Sequence, residues 1–243
     1  MRYCIMHHQT PALRHRLITA FEDFVRDPSF PCVGAKAALA KRQMTYVVAR
    51  DIRSAWDDLD IHTAIRGIVE MYRENPAPFR SLAVIFDTET ALDERGFEQY
   101  LWERLQSLSD KDDWLGQKCD DRVAHDPGHP EFSVSFGGEA FFIIGLHPQA
   151  SRPARRFERP TMIFNLHDQF EKLREEGQYD RLRASILDRD VKIAGDINPM
   201  LAQHGEVSAA RQYSGRAVGA EWKCPYARAG RHPDRKLNNV LND

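Results

Sequence analysis

The 243-residue sequence is poor in cysteine and has no pair of cysteines at the C-x-x-C spacing of zinc ribbons and thioredoxin-like redox sites. Without such a pair, both of these classes of site are excluded. We expect free thiols rather than a disulfide scaffold, as is usual in a reducing compartment. The cysteines are Cys4, Cys32, Cys119 and Cys224, of which Cys32 and Cys224 each adjoin a proline.

Long apolar runs and an excess of one charge are also missing. No run approaches the roughly 20 apolar residues that cross a bilayer, and the start, MRYCIMHHQT, lacks the features of a signal peptide. The 34 basic and 36 acidic residues give a net charge of -2, whereas nucleic-acid binders usually carry a clustered basic excess. We therefore expect a cytoplasmic protein that binds neither membrane nor nucleic acid.

The sequence contains none of the common motifs of nucleotide-binding proteins, zinc proteases or serine hydrolases. GxxxxGK[ST], GxGxxG, HExxH and GxSxG are all absent. Their absence excludes these familiar classes without identifying a function.

Hydrophobic periodicity predicts one α+β domain with a mixed, largely antiparallel sheet and helices packed on it. We expect this domain to span 1–243, with a core over about 11–226 and a C-terminal tail over 228–243. The predicted strands are 45–49, 81–86, 131–136, 139–146 and 161–164. The predicted helices are 11–26, 35–41, 54–74, 93–108, a helix that Asn165 caps, 179–186 and 208–212, with a long loop over 110–130.

Histidines, arginines and aromatic residues crowd into the stretch from Phe132 to Glu171. His147 follows one predicted strand directly, and His167 begins a helix after the next strand. Rigid strand ends are common positions for ligands and catalytic groups. If the two strands are neighbours, we expect both imidazoles to face one pocket.

Other residues of this stretch and beyond it also suit binding. Arginines can hold carboxylates or phosphates bidentately, and the basic loop 152–159 provides Arg152, Arg155 and Arg156. Glu139 follows a Gly-Gly turn, and Glu206 lies close to His204 in a polar loop. Phe142 is one of several phenylalanines that offer a flat apolar surface.

Several segments form a specific combination that spans residues 30–225. They are FPCVGAKAAL, SLAVIF with FEQYLWERLQSL, FSVSFGGEAFFIIGLHPQASRPARRF, FNLHDQFEKLREEG, NPMLAQHGE and QYSGRAVGAEWKCP. Together these segments resemble the YqcI/YcgG family. Some members of this family are haem-dependent enzymes that hydroxylate nitrogen in amino-acid-derived substrates, including guanidine groups. The resemblance therefore implies a b-type haem, O2 as co-substrate, an external electron donor and an arginine- or lysine-like substrate.

The residues can be assigned to these roles as a hypothesis. His147 is the preferred iron ligand and His167 is the second choice, with Cys32 and Cys224 as rivals. Phe142 is expected to line the haem slot, and Glu139 or Glu206 to bind the cationic substrate as catalytic residues. The haem propionates are expected to pair with Arg152, Arg155 and Arg156.

Two other functions stay open, and a homodimer is compatible with all three. A non-haem iron enzyme would use His147, His167 and His204 with a carboxylate such as Glu206, since two histidines and one carboxylate suit an open iron site. A non-catalytic protein would use the arginine loop to hold an anionic ligand.

Overall fold

A computed structural model of the chain describes residues 9–89, 91–198, 200 and 206–227. His204 and the predicted tail over 228–243 lie outside these residues. The described strands are β1 (Met44–Ala49), β2 (Ser81–Phe86), β3 (Val134–Phe136), β4 (Glu139–Leu146) and β5 (Thr161–Leu166). The described helices are α1 (Pro11–Arg26), α2 (Val33–Ala40), α3 (Asp58–Glu74), α4 (Glu94–Trp114), α5 (His167–Glu175), α6 (Tyr179–Ala194) and α7 (Ala210–Tyr213), with a 3-10 turn at Pro153–Arg155.

The five strands form one sheet in the order β1-β2-β5-β4-β3. Only β1 and β2 are parallel, and α3 connects them as a crossover helix. The other three pairs are antiparallel. The predicted fold class, an α+β domain with a mixed and largely antiparallel sheet, is confirmed.

Two hydrophobic clusters cover the two faces of the sheet. On the face that we call the front, α3 and α4 pack on residues such as Val84, Phe141 and Phe164. On the back face, α1 packs on residues such as Ile85 and Leu146. Successive residues of a strand point to opposite faces, which explains why every side chain of β2 is buried.

The contact between α4 and β4 is unusually close at Gly145. A Cβ atom added there would lie 2.6 Å from Cε1 of Phe97 and 2.8 Å from Cδ1 of Leu101. Both of these side chains are fully buried in the front cluster. Gly145 therefore lets the helix pack against the sheet at this depth.

Several predicted element boundaries differ from the structure. Helix α4 continues to Trp114 and takes in the start of the predicted loop over 110–130. The predicted strand over 131–136 is reduced to Val134–Phe136, and α6 extends to Ala194. Among the described helices, none is long and apolar enough to cross a membrane.

Asn165 does not cap α5 as predicted, because Leu166 occupies the N-cap position. The side chain of Asn165 is engaged across the sheet instead. Its Oδ1 accepts a hydrogen bond from Ser81 Oγ at 2.8 Å, and its Nδ2 donates to the carbonyl of Phe142 at 3.4 Å. This places a polar side chain in the middle of the sheet, next to β4.

Candidate functional site

His147 and His167 do not share a pocket, although β4 and β5 are neighbours as expected. The two strands are antiparallel, so that Leu146 pairs with Thr161 at one end and Phe141 with Leu166 at the other. The strand ends that carry the histidines are therefore separated by about 17 Å, at about 3.3 Å for each residue step. The expectation of a joint site was wrong because neighbouring antiparallel strands end at opposite edges of a sheet.

His147 is enclosed rather than presented to a ligand. The residue is 1% exposed, and its ring stacks on Phe97 with centroids 4.5 Å apart. The imidazole is hydrogen-bonded to the carbonyl of Leu92, and Nδ1 is buried with no hydrogen-bond partner among the described residues. Burial lowers the pKa of this imidazole. Its enclosure leaves little room beside the ring for a bound group.

His167 is more accessible, but both of its ring nitrogens have neighbours. Nε2 lies 2.9 Å from Oε1 of Glu171, one helical turn later, and Nδ1 lies 3.4 Å from Oγ of Ser133. Such i,i+4 pairs are ordinary stabilising contacts on a helix surface. This arrangement does not leave His167 poised for iron.

Glu139 is already neutralised by two guanidinium groups. Its Oε1 accepts from Arg73 Nε at 2.9 Å and its Oε2 from Arg122 Nη2 at 2.7 Å. Arg122 also pairs with Asp120 and Asp168. This network ties the β3–β4 hairpin to its surroundings, which disfavours Glu139 as the partner of a cationic substrate.

The three predicted anion-binding arginines have different partners. Arg152 pairs with Asp190 and Asp196. Arg156 is exposed and donates to the carbonyls of Ala150 and Ser151. Among the described residues, Arg155 has no carboxylate within ion-pairing distance, and burial lowers its pKa to about 10. Arg155 is partly buried and donates only to carbonyls, so its charge is the least compensated of the three and makes it the best candidate anion site.

Arg155 also completes the open edge of β4. On the side of β4 that faces away from β5, β3 pairs with Glu139–Phe141, and no described strand pairs with the residues that follow. Arg155 Nη1 donates to the carbonyl of Gly145 at 2.9 Å, and Tyr213 Oη donates to the carbonyl of Phe141 at 3.2 Å. Arg155 and Tyr213 of α7 thus donate the hydrogen bonds that a further strand would donate to β4.

The back face of the sheet is incompletely covered at β4. Ile144 and Asn165 are partly exposed there, as is Phe142, whose ring packs against the front-face cluster at the edge of the strand. We call these three residues the back-face opening. On the front of the same strands, Phe141 and Ile143 are fully buried. Phe142 makes edge contacts with the rings of Phe170 and Tyr213. The result is a flat apolar surface with one amide group.

Cys32 packs against the same back-face cluster as Ile144. It is the N-cap of α2, where its Sγ accepts a hydrogen bond from the amide of Ala35 at 3.4 Å. Burial raises the pKa of the thiol, whereas the amides of Ala35 and Gly34 and the charge of Arg155 act in the opposite direction. In the sequence, Cys32 lies between Pro31 and an apolar helix. This position favours Cys32 as a candidate ligand, although it does not follow a strand end as His147 does.

Cys224 lies in a different environment. It packs against the front-face cluster, and burial raises its pKa to about 12. The two rival thiols therefore lie on opposite faces of the sheet. Of the two, only Cys32 packs against the same cluster as Ile144 of the back-face opening.

A groove of about 550 Å³ opens beside the loop that leads to Cys32. Its apolar lining includes Phe24, Phe30 and Phe157, whose rings make edge or tilted contacts. Carboxylates and one guanidinium also line it, from Asp23, Asp27, Glu158 and Arg156. The groove combines an aromatic surface with a net negative charge.

No group of three or more His, Cys, Asp or Glu side chains in the described part of the chain is arranged to hold a metal ion. Glu206 lies exposed on the surface. The predicted iron site of His147, His167, His204 and Glu206 needs His147 and His167 close together. The structure places these two histidines at opposite edges of the sheet.

Comparison with known proteins gives one match. The model of the YqcI/YcgG family matches residues 21–227. The chain matches no curated protein and no solved structure.

Proposed function

The chain belongs to the YqcI/YcgG family, and we propose that it is a cytoplasmic, haem-dependent monooxygenase that hydroxylates a nitrogen of an amino-acid-derived amine or guanidine. The observation that supports this function best is that Ile144 of the back-face opening packs against the same apolar cluster as Cys32, whose thiol lies at the start of α2. Haem requires these features, namely an apolar slot and an axial ligand, together with partners for its propionates.

Cys32 replaces His147 as the preferred iron ligand in this proposal. A backbone amide donates to its Sγ, and such hydrogen bonds stabilise a thiolate. Coordination by iron removes the thiol proton, which overcomes the effect of burial on the pKa. His147 is disfavoured because it is only 1% exposed, which leaves little room for a bound group beside its ring.

Arg155 is the proposed propionate partner. It carries a partly buried positive charge with no carboxylate at ion-pairing distance among the described residues, whereas the charge of Arg152 is already paired. Phe142 and Ile144 would pack on the macrocycle and exclude water from it. When bound, a thiolate-ligated haem supplies activation of O2 with electrons from an external donor.

Substrate binding is proposed to involve the 550 Å³ groove rather than Glu139. Volumes of this order suit small molecules. Asp27 and Glu158 attract a cationic amine or guanidine, and Phe24 and Phe30 pack on its apolar part. Glu139 is disfavoured because Arg73 and Arg122 neutralise it.

The test is the absorption and electron paramagnetic resonance spectrum of protein purified from haem-supplied cells. We expect a Soret band with the signature of thiolate ligation in the wild type. Cys32→Ser should lose that signature, while Cys224→Ser and His147→Gln should keep it. An unaltered spectrum in the Cys32→Ser variant would remove Cys32 as the ligand, and the absence of any Soret band would contradict a haem enzyme.

A non-catalytic anion-binding protein is the second candidate, and Arg155 is the observation that favours it. A partly buried guanidinium that pairs with no described carboxylate suits any anionic ligand, with or without haem. Protein without a Soret band that binds a small carboxylate or phosphate, and loses this binding in Arg155→Met, would support the second candidate over the first.

A further inference from the structure

Helix α6 is packed much less tightly than the other long helices. Of its side chains, only that of Asp190 is buried. Apolar residues of α6 such as Leu182, Ile186 and Ile193 stay partly exposed, and none of them belongs to either hydrophobic cluster. A helix of similar length, α1, buries Leu17, Phe21 and Val25 instead. Helices with so few buried apolar contacts open at low free-energy cost.

A glycine with positive φ precedes α6 and another follows it. Gly177 has φ +66°, and Gly195, the C-cap of α6, has φ +82°. A Cβ atom at either position would meet nothing within 4 Å. Packing therefore leaves both positions free, and glycine is needed there for the backbone conformation, as at a hinge.

One buried ion pair anchors the middle of α6 to the rest of the protein. Arg152, which precedes the 3-10 turn, pairs with Asp190, and the two side chains are only 11% and 7% exposed. Arg152 pairs as well with Asp196, just after α6. A second pair on the same helix, Asp188 with Lys192, is 63% and 69% exposed and links α6 only to itself.

We propose that α6 is a hinged cover of the back face of the sheet, held closed by the pair of Arg152 and Asp190. Helix α6 contacts α2, which begins after Cys32, and α5, which carries Phe170. Rotation about Gly177 and Gly195 increases the exposure of the thiol of Cys32 at the start of α2. Closure limits access of solvent to this thiol, as lids of enzyme sites do. This role for Arg152 differs from that of a propionate partner.

The cover belongs to the proposed active site but is tested without haem. We compare Asp190→Asn with the matched variant Asp188→Asn, which makes the same change of charge on the same helix. The first readout is amide hydrogen exchange of 179–194, with 58–74 of α3 as the internal reference. The second is the rate at which a disulfide reagent labels Cys32 in a background that carries Cys4→Ser, Cys119→Ser and Cys224→Ser.

We expect Asp190→Asn to accelerate both exchange of α6 and labelling of Cys32 at least tenfold, with α3 unchanged. Asp188→Asn should leave both rates within twofold of the wild type. The exchanged set Arg152→Asp with Asp190→Arg and Asp196→Arg, which reverses both ion pairs of Arg152, should restore slower rates, which a merely damaged fold would not do. Equal rates in the two single variants, or acceleration of α3 together with α6, would overturn the cover.

These results are independent of the proposed oxygenase. If the protein never takes up haem but shows the tenfold acceleration, the proposed cover is supported and the proposed oxygenase is contradicted. If the protein binds haem but α6 exchanges as slowly as α3 in Asp190→Asn, the oxygenase is supported and the cover is contradicted.

Discussion

His147 and His167 end neighbouring strands at opposite edges of one sheet, because β4 and β5 are antiparallel. The first is enclosed by Phe97 and the second pairs with Glu171 on its own helix. Iron coordinated by one of them cannot be reached by the other. The two histidines therefore have separate roles, which are structural at His147 and electrostatic at His167.

Titration of His147 should make the protein less stable in mild acid. Burial lowers the pKa of this imidazole below its usual value near 6.5, so the unfolded chain takes up a proton that the folded protein resists. Stability is retained above the unfolded pKa and falls as the pH decreases from there towards the folded pKa, by up to about 1.4 kcal/mol per pH unit. Urea denaturation between pH 5 and pH 8 measures this slope.

The control for His147 is a histidine on the surface. His147→Gln should flatten the slope below pH 6.5, whereas His15→Gln, which changes an exposed residue of α1, should preserve it. If both variants retain the wild-type slope, acid sensitivity comes from other groups and the environment assigned to His147 is wrong.

Substitution by alanine should change the free energy of unfolding in opposite directions at Gly145 and Gly67. At Gly145 a Cβ atom would lie 2.6 Å from the ring of Phe97, so Gly145→Ala should destabilise the protein by about 1–3 kcal/mol through overpacking. At Gly67, within α3, an added Cβ atom would meet nothing within 4 Å, so Gly67→Ala should stabilise by about 0.5–1 kcal/mol. Thermal and urea unfolding of both variants provide the comparison, and a stable Gly145→Ala protein would contradict the close contact of α4 with β4.

Asp112 should be among the most sensitive charged residues of the fold. It is 0% exposed, and its carboxylate bonds to His62 Nε2 at 2.9 Å and to the amide of Gly137 at 3.0 Å. Asp112→Ala leaves both partners buried without an acceptor and should cost about 3–5 kcal/mol. Asp110→Ala, which changes an exposed residue of the same helix, should cost less than about 1 kcal/mol. Similar losses at the two positions in urea unfolding would refute the linking role of Asp112.

Local patterns identified the helices, the strands and the fold class, because periodicity and turn residues act over a few positions. They did not reveal which ends of the strands meet. The sequence predicts Glu139 as a catalytic residue, but it does not reveal that Arg73, 66 residues away in sequence, donates to the Glu139 carboxylate. The proposed role of Cys32 likewise depends on a contact between distant segments, because Ile144 packs against the same cluster. Contacts between distant segments are determined by the topology, which periodicity does not encode.

Arg155 and Arg156 are adjacent in sequence, but substitution by lysine should change the free energy of unfolding by different amounts at the two positions. Arg155 donates to the carbonyls of Gly145, Gln212 and Tyr213, which a lysine cannot reach with the same fork of donors. Arg155→Lys should therefore lower the free energy of unfolding by about 1–3 kcal/mol, because edge carbonyls of β4 and α7 lose their donors. Arg156 is exposed, and Arg156→Lys should change stability by less than about 0.5 kcal/mol. Urea unfolding at pH 7 measures both, and hydrogen exchange of 141–146 reports on the edge itself. Faster exchange there in Arg155→Lys alone would identify the guanidinium as the group that closes the edge of β4, whereas equal behaviour of the two variants would show that α7 closes it without Arg155.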